Sequence, residues 1–362
     1  IIAVIAPGFL DDPERGNLAV ELTRVTFPYL PLISLAALLG GILNAMDRFA
    51  PFAFAPVLFN VSLIASLLLS SHFQTAGHAM AWGLLMAGVL QFTFLIICAK
   101  RAGIRLTIGI PRLDADMRKV FKLMGPAVIG AGVVHINLFA DVMIASFLEE
   151  GSISYLYYAD RLNQLPLGVV GIAVGTALLP MLSRAMTKKD KGEARDLFNR
   201  SLEYCLLLAL PAAIALLIMP LTLITVLFER GAFDATDSRI CADILRSYSI
   251  GLPAYIAIKV FSTVHWARED TITPVRISVI ATILNIALSI ALVQVIGIAG
   301  IALGTGLTGW LQFVLHIRVL KDHEAARFDK KFLSNTPKII LASCIMGIGV
   351  YILSTAFQNM IF

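Results

Sequence analysis

The chain has 362 residues, 58% of them hydrophobic and only 15% charged, and its mean hydropathy is +0.83. Because about a quarter of the residues in soluble domains are charged, this composition excludes an ordinary water-soluble protein. It predicts an all-α protein that crosses a membrane many times. The net charge of +5 is not a nucleic-acid signature, because the basic residues are concentrated in alternate short connections between apolar segments.

The N-terminal stretch IIAVIAPGFL is typical of the end of a helix and lacks the basic region and cleavage site of a signal peptide. We therefore expect the chain to be a fragment of a longer protein. Ten candidate membrane spans follow, each near or above the roughly 20 residues that a bilayer requires. Their approximate limits are 19–46, 51–71, 77–98, 123–148, 153–182, 201–228, 240–264, 274–294, 297–317 and 338–358.

The connections between these spans differ sharply in their basic residues. Those at 47–50, 99–122, 183–200, 265–276 and 318–338 together hold 22 Lys and Arg residues, whereas the alternate connections hold 3. Cytoplasmic loops of membrane proteins are enriched in Lys and Arg. The bias predicts that the first set of connections faces the cytoplasm.

Arg161 is a basic residue well inside a predicted span, and it directly follows Asp160. Adjacent residues on a helix point in different directions, so each of the two needs its own partner or water. Asp141 and Arg161 lie equally far from Gly151, which places both at a depth of about 15 Å on antiparallel helices. Two interpretations stay open. Asp141 and Arg161 form a structural ion pair, or Arg161 lines a water-filled cavity and binds an anionic headgroup through its planar fork.

Arg24, Arg246 and Lys259 are the other basic residues within spans, and each is close enough to a predicted helix end to snorkel. Arg24 and Arg246 also occupy matching positions in two similar segments, which indicate an internal repeat. In both copies an Arg opens a span, a Pro follows within seven residues, and a charged turn leads to a span that contains Asn. The copies are six spans apart in the same orientation, which is typical of transporters built from parallel six-helix repeats.

Asp141, Asn285 and Thr305 are polar residues on three different apolar spans. Carboxylate, amide and hydroxyl oxygens together could hold Na⁺ or a proton. Ordinary hydrogen bonding between helices is the alternative. The GxxxG spacings Gly171/Gly175 and Gly300/Gly304 predict helices that pack closely.

Signatures of enzymes are absent from the sequence. The six histidines show no metal-ligand spacing, and neither a P-loop nor a nucleophile elbow occurs. The four cysteines (98, 205, 241 and 344) lie in or beside apolar segments without CxxC spacing, so they behave as small apolar residues. We therefore expect neither a metal site nor an enzyme.

The tract YYADRLNQLPLGVVGIAVGTALLP resembles the MurJ (MviN) family of lipid II flippases in the MOP superfamily. Three further segments are similar to that family: FPYLPLISLAALLGGILNAMDRFAPFAFAPVLFN, MGPAVIGAGVVHINLFADVMIASFL and RGAFDATDS. Family members have fourteen helices, in two six-helix lobes followed by two more. The resemblance implies a fragment that lacks the first two helices, most of the third, and the last.

On the family plan the chain divides into four parts. Residues 1–98 complete an N-lobe from the end of the third helix to the sixth, and 99–122 form a cytoplasmic linker. Residues 123–320 form a C-lobe of helices seven to twelve, and 321–362 form a cytoplasmic loop and the thirteenth helix. The implied fold is an all-α, polytopic, two-lobed MOP-type bundle with parallel six-helix repeats and an incomplete N-lobe.

The resemblance also implies a function: translocation of lipid II across the bacterial inner (cytoplasmic) membrane by alternating access. Arg161 falls at the family's cavity arginine and would bind the pyrophosphate, with Asp160, Arg24 and Arg246 as further substrate-binding candidates. No cofactor is expected, and coupling to membrane potential, Na⁺ or H⁺ stays open. Expected partners are lipid II, membrane lipids and other cell-wall synthesis proteins, but no nucleic acid.

Three alternatives to this function stay open. The first is an exporter of another lipid-linked glycan or of drugs, and the second is a non-transporting membrane scaffold for cell-wall synthesis. The third, a polyprenyl-phosphate transferase, would need interfacial acidic residues that the sequence lacks.

Overall fold

The computed structural model describes residues 1–104, 115–173, 177–188, 190–321 and 323–361. Regular structure in these ranges is helical throughout, apart from turns and short 3₁₀ segments. The helices are α1 (Ile2–Ile5), α2 (Pro13–Thr26), α3 (Tyr29–Ala45), α4 (Ala50–Leu68), α5 (Ala76–Arg101), α6 (Ala115–Ser146), α7 (Ser152–Ala173), α8 (Leu179–Thr187), α9 (Lys191–Ile218), α10 (Pro220–Phe228), α11 (Ala235–Ala267), α12 (Ile272–Ile296), α13 (Ala299–Leu320) and α14 (Lys330–Ile361).

Eight segments within the described ranges are long and apolar enough to cross a membrane. They are Pro13–Ala45, Ala50–Leu68, Ala76–Arg101, Lys191–Ile218, Ala235–Ala267, Ile272–Ile296, Ala299–Leu320 and Glu324–Thr355. The two other predicted spans, 123–148 and 153–182, fall on α6 and on α7 with α8. Part of the latter, 174–176, lies outside the described residues.

Prolines break two of the predicted spans into pairs of helices. The span 19–46 is divided at Pro28, which precedes α3, and the span 201–228 is divided at Met219 before Pro220 opens α10. Proline is tolerated in the first turn of a helix, where its missing N–H would have no intrahelical partner. Each of these two spans therefore consists of two helices rather than one.

The chain forms two compact units, Ile1–Phe121 and Lys122–Phe362. The predicted linker 99–122 overlaps the end of α5, and its residues 105–114 lie outside the described part of the chain. In the first unit, α5 packs against α3 and α4 around a small apolar core. That core is formed by Ala36, Leu39, Leu43, Ala55, Leu95 and Ala99.

The second unit is built around α11, which is the most thoroughly buried of its membrane helices. It packs against α13, α9 and α7, and α14 lies against α9. The segment 321–362, which the family plan separates from the C-lobe, is thus part of this same compact unit.

Glycines allow two of these helix pairs to approach closely. A Cβ added at Gly251 of α11 would lie 2.5 Å from the Cα of Gly306 on α13, and one at Gly304 would lie 2.8 Å from Ser289 Oγ on α12. Small residues permit such backbone contact. The predicted close packing at Gly300/Gly304 is confirmed, whereas Gly175 of the other motif lies outside the described residues.

Candidate functional site

Helix α7 presents an apolar face to the protein, and the first half of its exposed face is polar. Leu156, Ala159 and Leu162 are buried in the core of the second unit, while Tyr157 and Arg161 are exposed. Residues three and four apart share one face of a helix, so packing the apolar positions against α11 necessarily turns Arg161 outward.

The first turn of α7 is attached to α11 by polar contacts. Tyr155 Oη donates a hydrogen bond to Asp237 Oδ1 at 2.6 Å, and the Cys241 thiol donates to the backbone carbonyl of Tyr155 at 3.6 Å. These contacts hold the start of the helix that carries Asp160 and Arg161.

The Arg161 guanidinium lies over the ring of Tyr157, with its central carbon 4.5 Å from the ring centroid. Its Nη2 also donates a hydrogen bond to Tyr157 Oη. Cation–π contact and hydrogen bond together hold the guanidinium beside an aromatic ring one turn earlier on the same helix. Both contacts leave donors of the guanidinium fork free for a further ligand, because the fork carries five N–H groups.

Asp160 is half-buried and accepts a hydrogen bond from Gln164 Nε2, again one turn away on α7. Asp160 and Arg161 therefore each find a separate partner at a spacing of four residues. This is the arrangement that their different directions on the helix require.

The structure does not pair Asp141 with Arg161. Among the described residues, no carboxylate oxygen lies within 4.0 Å of the Arg161 guanidinium, so the structural ion pair is absent. Asp141 is 8% exposed, and its Oδ1 is buried without a hydrogen-bond partner. Equal depth along two helices did not bring the two side chains together.

Asn285 and Thr305, which the sequence suggested as cation ligands, are in direct contact. Asn285 Nδ2 donates to Thr305 Oγ1 at 3.0 Å and lies 3.3 Å from Thr308 Oγ1, while its Oδ1 is buried without a partner. Tyr255 Oη donates to the Thr305 carbonyl at 2.7 Å. Asn285 and Thr305 thus belong to one polar region with Tyr255. Among the described residues, no hydrogen bond joins Asp141 to this region.

Sequence reasoning missed three residues of this region: Tyr255, Thr308 and Ser289. Ser289 Oγ is buried without a partner one turn after Asn285. Helical spacing could have identified Thr308 and Ser289, which lie three and four residues from predicted ligands. No local signal marks Tyr255, because it comes from a different helix.

The two remaining substrate candidates differ in their surroundings. Arg246 is exposed but forms an ion pair with Asp243 at 2.7 Å, and its Nε donates to the Leu217 carbonyl at 3.4 Å. Arg24 is exposed in the last turn of α2, in the first unit. Among the described residues, no cluster of three or more His, Cys, Asp or Glu side chains could hold a metal ion.

Comparison with known proteins gives consistent matches along the chain. The family model described as "Lipid II flippase MurJ" matches residues 1–362. The chain is 40% identical to the probable lipid II flippase MurJ of Rhizobium tropici, covering 99% of the chain and 68% of that protein. It is 36% identical to the lipid II flippase MurJ of Burkholderia cenocepacia, covering 87% of the chain and 62% of that protein. The chain thus spans about two thirds of the length of these curated relatives.

Two solved structures share the fold. A lipid II flippase MurJ in an inward closed conformation superposes with a TM-score of 0.80 at 26% identity, covering 100% of the chain and 78% of that structure. An inward-facing multidrug transporter of the MATE family, in the MOP superfamily, superposes with a TM-score of 0.77 at 14% identity. The match covers 90% of the chain and 76% of that structure. The second likeness concerns the fold alone.

Proposed function

The chain belongs to the MurJ family of lipid II flippases, multi-pass membrane transporters rather than enzymes, and on that premise we propose how its residues move lipid II. The proposal is alternating access, in which a polar headgroup crosses the bilayer through a cationic cavity while the polyprenyl tail stays in lipid. Translocation requires binding and release but no covalent step.

Arg161 is proposed to bind the pyrophosphate of lipid II. The supporting observation is an exposed arginine within an apolar helix, with no carboxylate within 4.0 Å among the described residues. A charged side chain that faced lipid would cost about 3 kcal/mol on insertion scales, so such a residue belongs in a water-filled cavity. Its guanidinium matches phosphate oxygens in a bidentate geometry.

Asp160, Arg24 and Arg246 are proposed to assist this binding. Asp160 retains acceptor capacity beyond its bond to Gln164 and would accept hydrogen bonds from hydroxyl or amide groups of the headgroup. Arg24, in the last turn of α2, is a further cation proposed for the pyrophosphate. Arg246 would contribute least, because Asp243 already neutralises it.

Asp141, Asn285 and Thr305 are proposed to form the coupling site for Na⁺ or H⁺, driven by the membrane potential. Two buried oxygens, Asp141 Oδ1 and Asn285 Oδ1, have no hydrogen-bond partner. Buried acceptors without a partner are costly and indicate an ion, proton or water at the site. Carboxylate, amide and hydroxyl oxygens suit a hard cation, and the residues present therefore fit one.

We place the protein in the bacterial inner membrane, with the basic connections on the cytoplasmic side. Lipid II and the surrounding membrane lipids are its proposed partners, together with other proteins of cell-wall synthesis.

The test is substitution of Arg161 in the protein at the full length of its relatives, with lipid II assayed in each leaflet. Arg161→Ala should lower translocation by about tenfold or more, because a charged hydrogen bond contributes about 1.5–3 kcal/mol. Arg161→Lys should restore little, since a point charge lacks the bidentate fork. Arg239→Ala, which removes another exposed arginine, is the matched control and should leave translocation unchanged. Full activity of the Lys variant would reject the bidentate contact.

A further inference from the structure

A cleft of about 520 Å³ lies inside the second unit and extends beyond the proposed coupling site. Helices α11, α12 and α13 supply most of its lining, and Asn137 of α6 adds to it. Its length runs from Thr271, in the turn between α11 and α12, to Asn285 and Thr308 of the proposed coupling site. The cleft therefore joins a helix-end turn to the buried polar region.

The helices line the cleft with polar stripes. On α11 the polar lining residues are Tyr255, Lys259, Ser262 and Trp266, three or four residues apart and so on one face, and Ile258 lines the cleft beside them. Ser278 and Thr282 of α12 and Gln312 of α13 continue the polar surface opposite. Gln312 Nε2 donates to Ser278 Oγ at 3.1 Å, which leaves the Ser278 hydroxyl hydrogen free to donate.

Lys259 is the single basic residue that lines the cleft, and none of the described lining residues is acidic. Between 251 and 265 every residue of α11 is buried except Tyr255, which is half-buried, and Lys259, which is exposed. Among the described residues, no carboxylate oxygen lies within 4.0 Å of its ammonium group. An exposed ammonium group that lines a cleft in a membrane helix, without a counter-ion, favours an anion as its partner.

Snorkelling, the expectation from the sequence, stays a prediction for this lysine. Helix α11 continues to Ala267, which is eight residues and about 12 Å beyond Lys259. Lys259 lines the cleft from within this helix.

The two ends of the cleft have opposite chemistry. The inner end offers an acceptor, because Asn285 Oδ1 is buried without a hydrogen-bond partner. The outer part offers donors, namely the Lys259 ammonium, the Ser278 hydroxyl and the Trp266 indole N–H. A cation at the inner end and an anion at the outer part would each meet complementary groups.

We propose that the outer part of this cleft binds a phosphate group, for which Lys259 is the counter-charge. A lysine suits phosphate as a point charge with three donors, and the volume falls within the 300–1,000 Å³ typical of ligand sites. The phosphate could belong to the headgroup of an anionic lipid or be free inorganic phosphate. The inference concerns α11–α13 and does not depend on the role of Arg161.

Protection of the Lys259 amine from reductive methylation tests the proposal without any transport assay. The protein is reconstituted in phosphatidylcholine nanodiscs, in nanodiscs that also contain phosphatidylglycerol, and in phosphatidylcholine nanodiscs with inorganic phosphate. Peptide mass spectrometry measures the rate at Lys259, with the exposed Lys338 of α14 as internal reference. At about ten times the dissociation constant, roughly a tenth of the sites stay free, so methylation should slow about tenfold.

The pattern of protection decides the outcome. Protection by phosphatidylglycerol alone identifies a lipid headgroup, and protection by inorganic phosphate identifies the free anion. Methylation of Lys259 at equal rates in all three samples overturns the proposal, and so does a Lys259 that never reacts, because the cleft is then closed.

A matched pair of variants gives a second measurement. Native mass spectrometry should find that Lys259→Gln binds phosphatidylglycerol about tenfold more weakly, or about 1.4 kcal/mol. Lys338→Gln, which removes the same charge from an exposed site on another helix, should bind as the unsubstituted protein does. Equal losses in both variants would show that net charge, not this cleft, holds the lipid, and would overturn the proposal. If Lys259→Gln does not fold, the methylation experiment still decides.

Discussion

At the scale of single residues, the adjacent charges of α7 are accommodated by neighbours on their own helix. Tyr157 lies four residues before Arg161, and Gln164 lies four residues after Asp160. Side chains at this spacing contact each other on a helix. The charges therefore need no partner from another helix, and Arg161 keeps donors available for a ligand.

Tyr157 is expected to orient Arg161 through two separable contacts. Tyr157→Phe keeps the ring beneath the guanidinium and removes only the hydroxyl acceptor, so translocation should fall slightly. Tyr157→Leu removes both contacts, each with a magnitude of about 1 kcal/mol, and should lower translocation about thirtyfold. The comparison is made in the lipid II assay at equal protein level.

The control for this pair is Tyr204→Leu, which removes another exposed tyrosine, on α9. A positioning role further predicts that excess substrate restores part of the Tyr157→Leu activity, because binding is weakened. Equal activity of Tyr157→Leu and the unsubstituted protein would contradict the positioning role.

Asp141 should behave as a residue independent of Arg161. Because no ion pair joins them, a thermal-stability double-mutant cycle with Asp141→Asn and Arg161→Ala should give a coupling below about 1 kcal/mol. Asp141→Asn should leave stability nearly intact, since it removes a buried charge without a partner. A coupling well above that value would restore the ion-pair interpretation.

At the scale of helices, the ends of α11 and α12 are held by a short charged turn. Asp270 Oδ1 accepts the backbone N–H of Thr273 in the first turn of α12 at 3.0 Å, and Asp270 Oδ2 lies 3.2 Å from His265 Nδ1. These hydrogen bonds, led by that of Thr273, lower the pKa of Asp270 to about 2. The turn closes one end of the cleft that Lys259 lines.

Removing this carboxylate should weaken the start of α12. Asp270→Ala should lower the free energy of unfolding by about 1 kcal/mol, the usual effect of losing a side-chain acceptor at a helix N-terminus. Asp270→Asn keeps an acceptor oxygen and should lose less. Thermal unfolding of the detergent-solubilised protein measures both.

The pH dependence follows from the lowered pKa. The contribution of Asp270 is fully present above the ordinary Asp pKa of about 3.9 and is lost as pH falls through the folded value of about 2. The stability difference between the unsubstituted protein and Asp270→Ala should thus stay constant from pH 8 to about pH 5. A difference that shrinks within this range would show that another group is responsible.

At the scale of the whole molecule, the distribution of Lys and Arg predicts on which side of the membrane each connection lies. Cysteines introduced at Lys188, after α8, and at Arg230, before α11, should lie on opposite sides, because the first belongs to the basic set of connections. In intact cells an impermeant thiol reagent should label Arg230→Cys and should reach Lys188→Cys only after permeabilisation.

The unsubstituted chain is the control for this labelling, since three of its cysteines lie buried or half-buried and the exposed Cys344 is within a membrane helix. Labelling of Lys188→Cys from outside intact cells would reverse the proposed topology.

The sequence by itself determined that the protein is a multi-pass membrane protein, and it identified Arg161 as the main candidate for substrate binding. Hydropathy is a local property, and a bilayer accepts only segments whose backbone groups bond internally, so the helical spans could be read directly. The resemblance to the MurJ family, based mainly on the tract around Arg161, is confirmed. Two predicted spans each divide into two helices at prolines 28 and 220, because a proline begins a helix more readily than it continues one.

Only the tertiary structure decided which side chains meet. A rise of 1.5 Å per residue predicts depth in the membrane but not direction, and so Asp141 and Arg161 could share a depth without touching. The contact of Asn285 with Thr305, the approach of Tyr255 and the cleft at Lys259 depend on how α11, α12 and α13 rotate about their axes. That rotation is set by packing at Gly251, Gly304 and their neighbours, which no single helix contains in its own sequence.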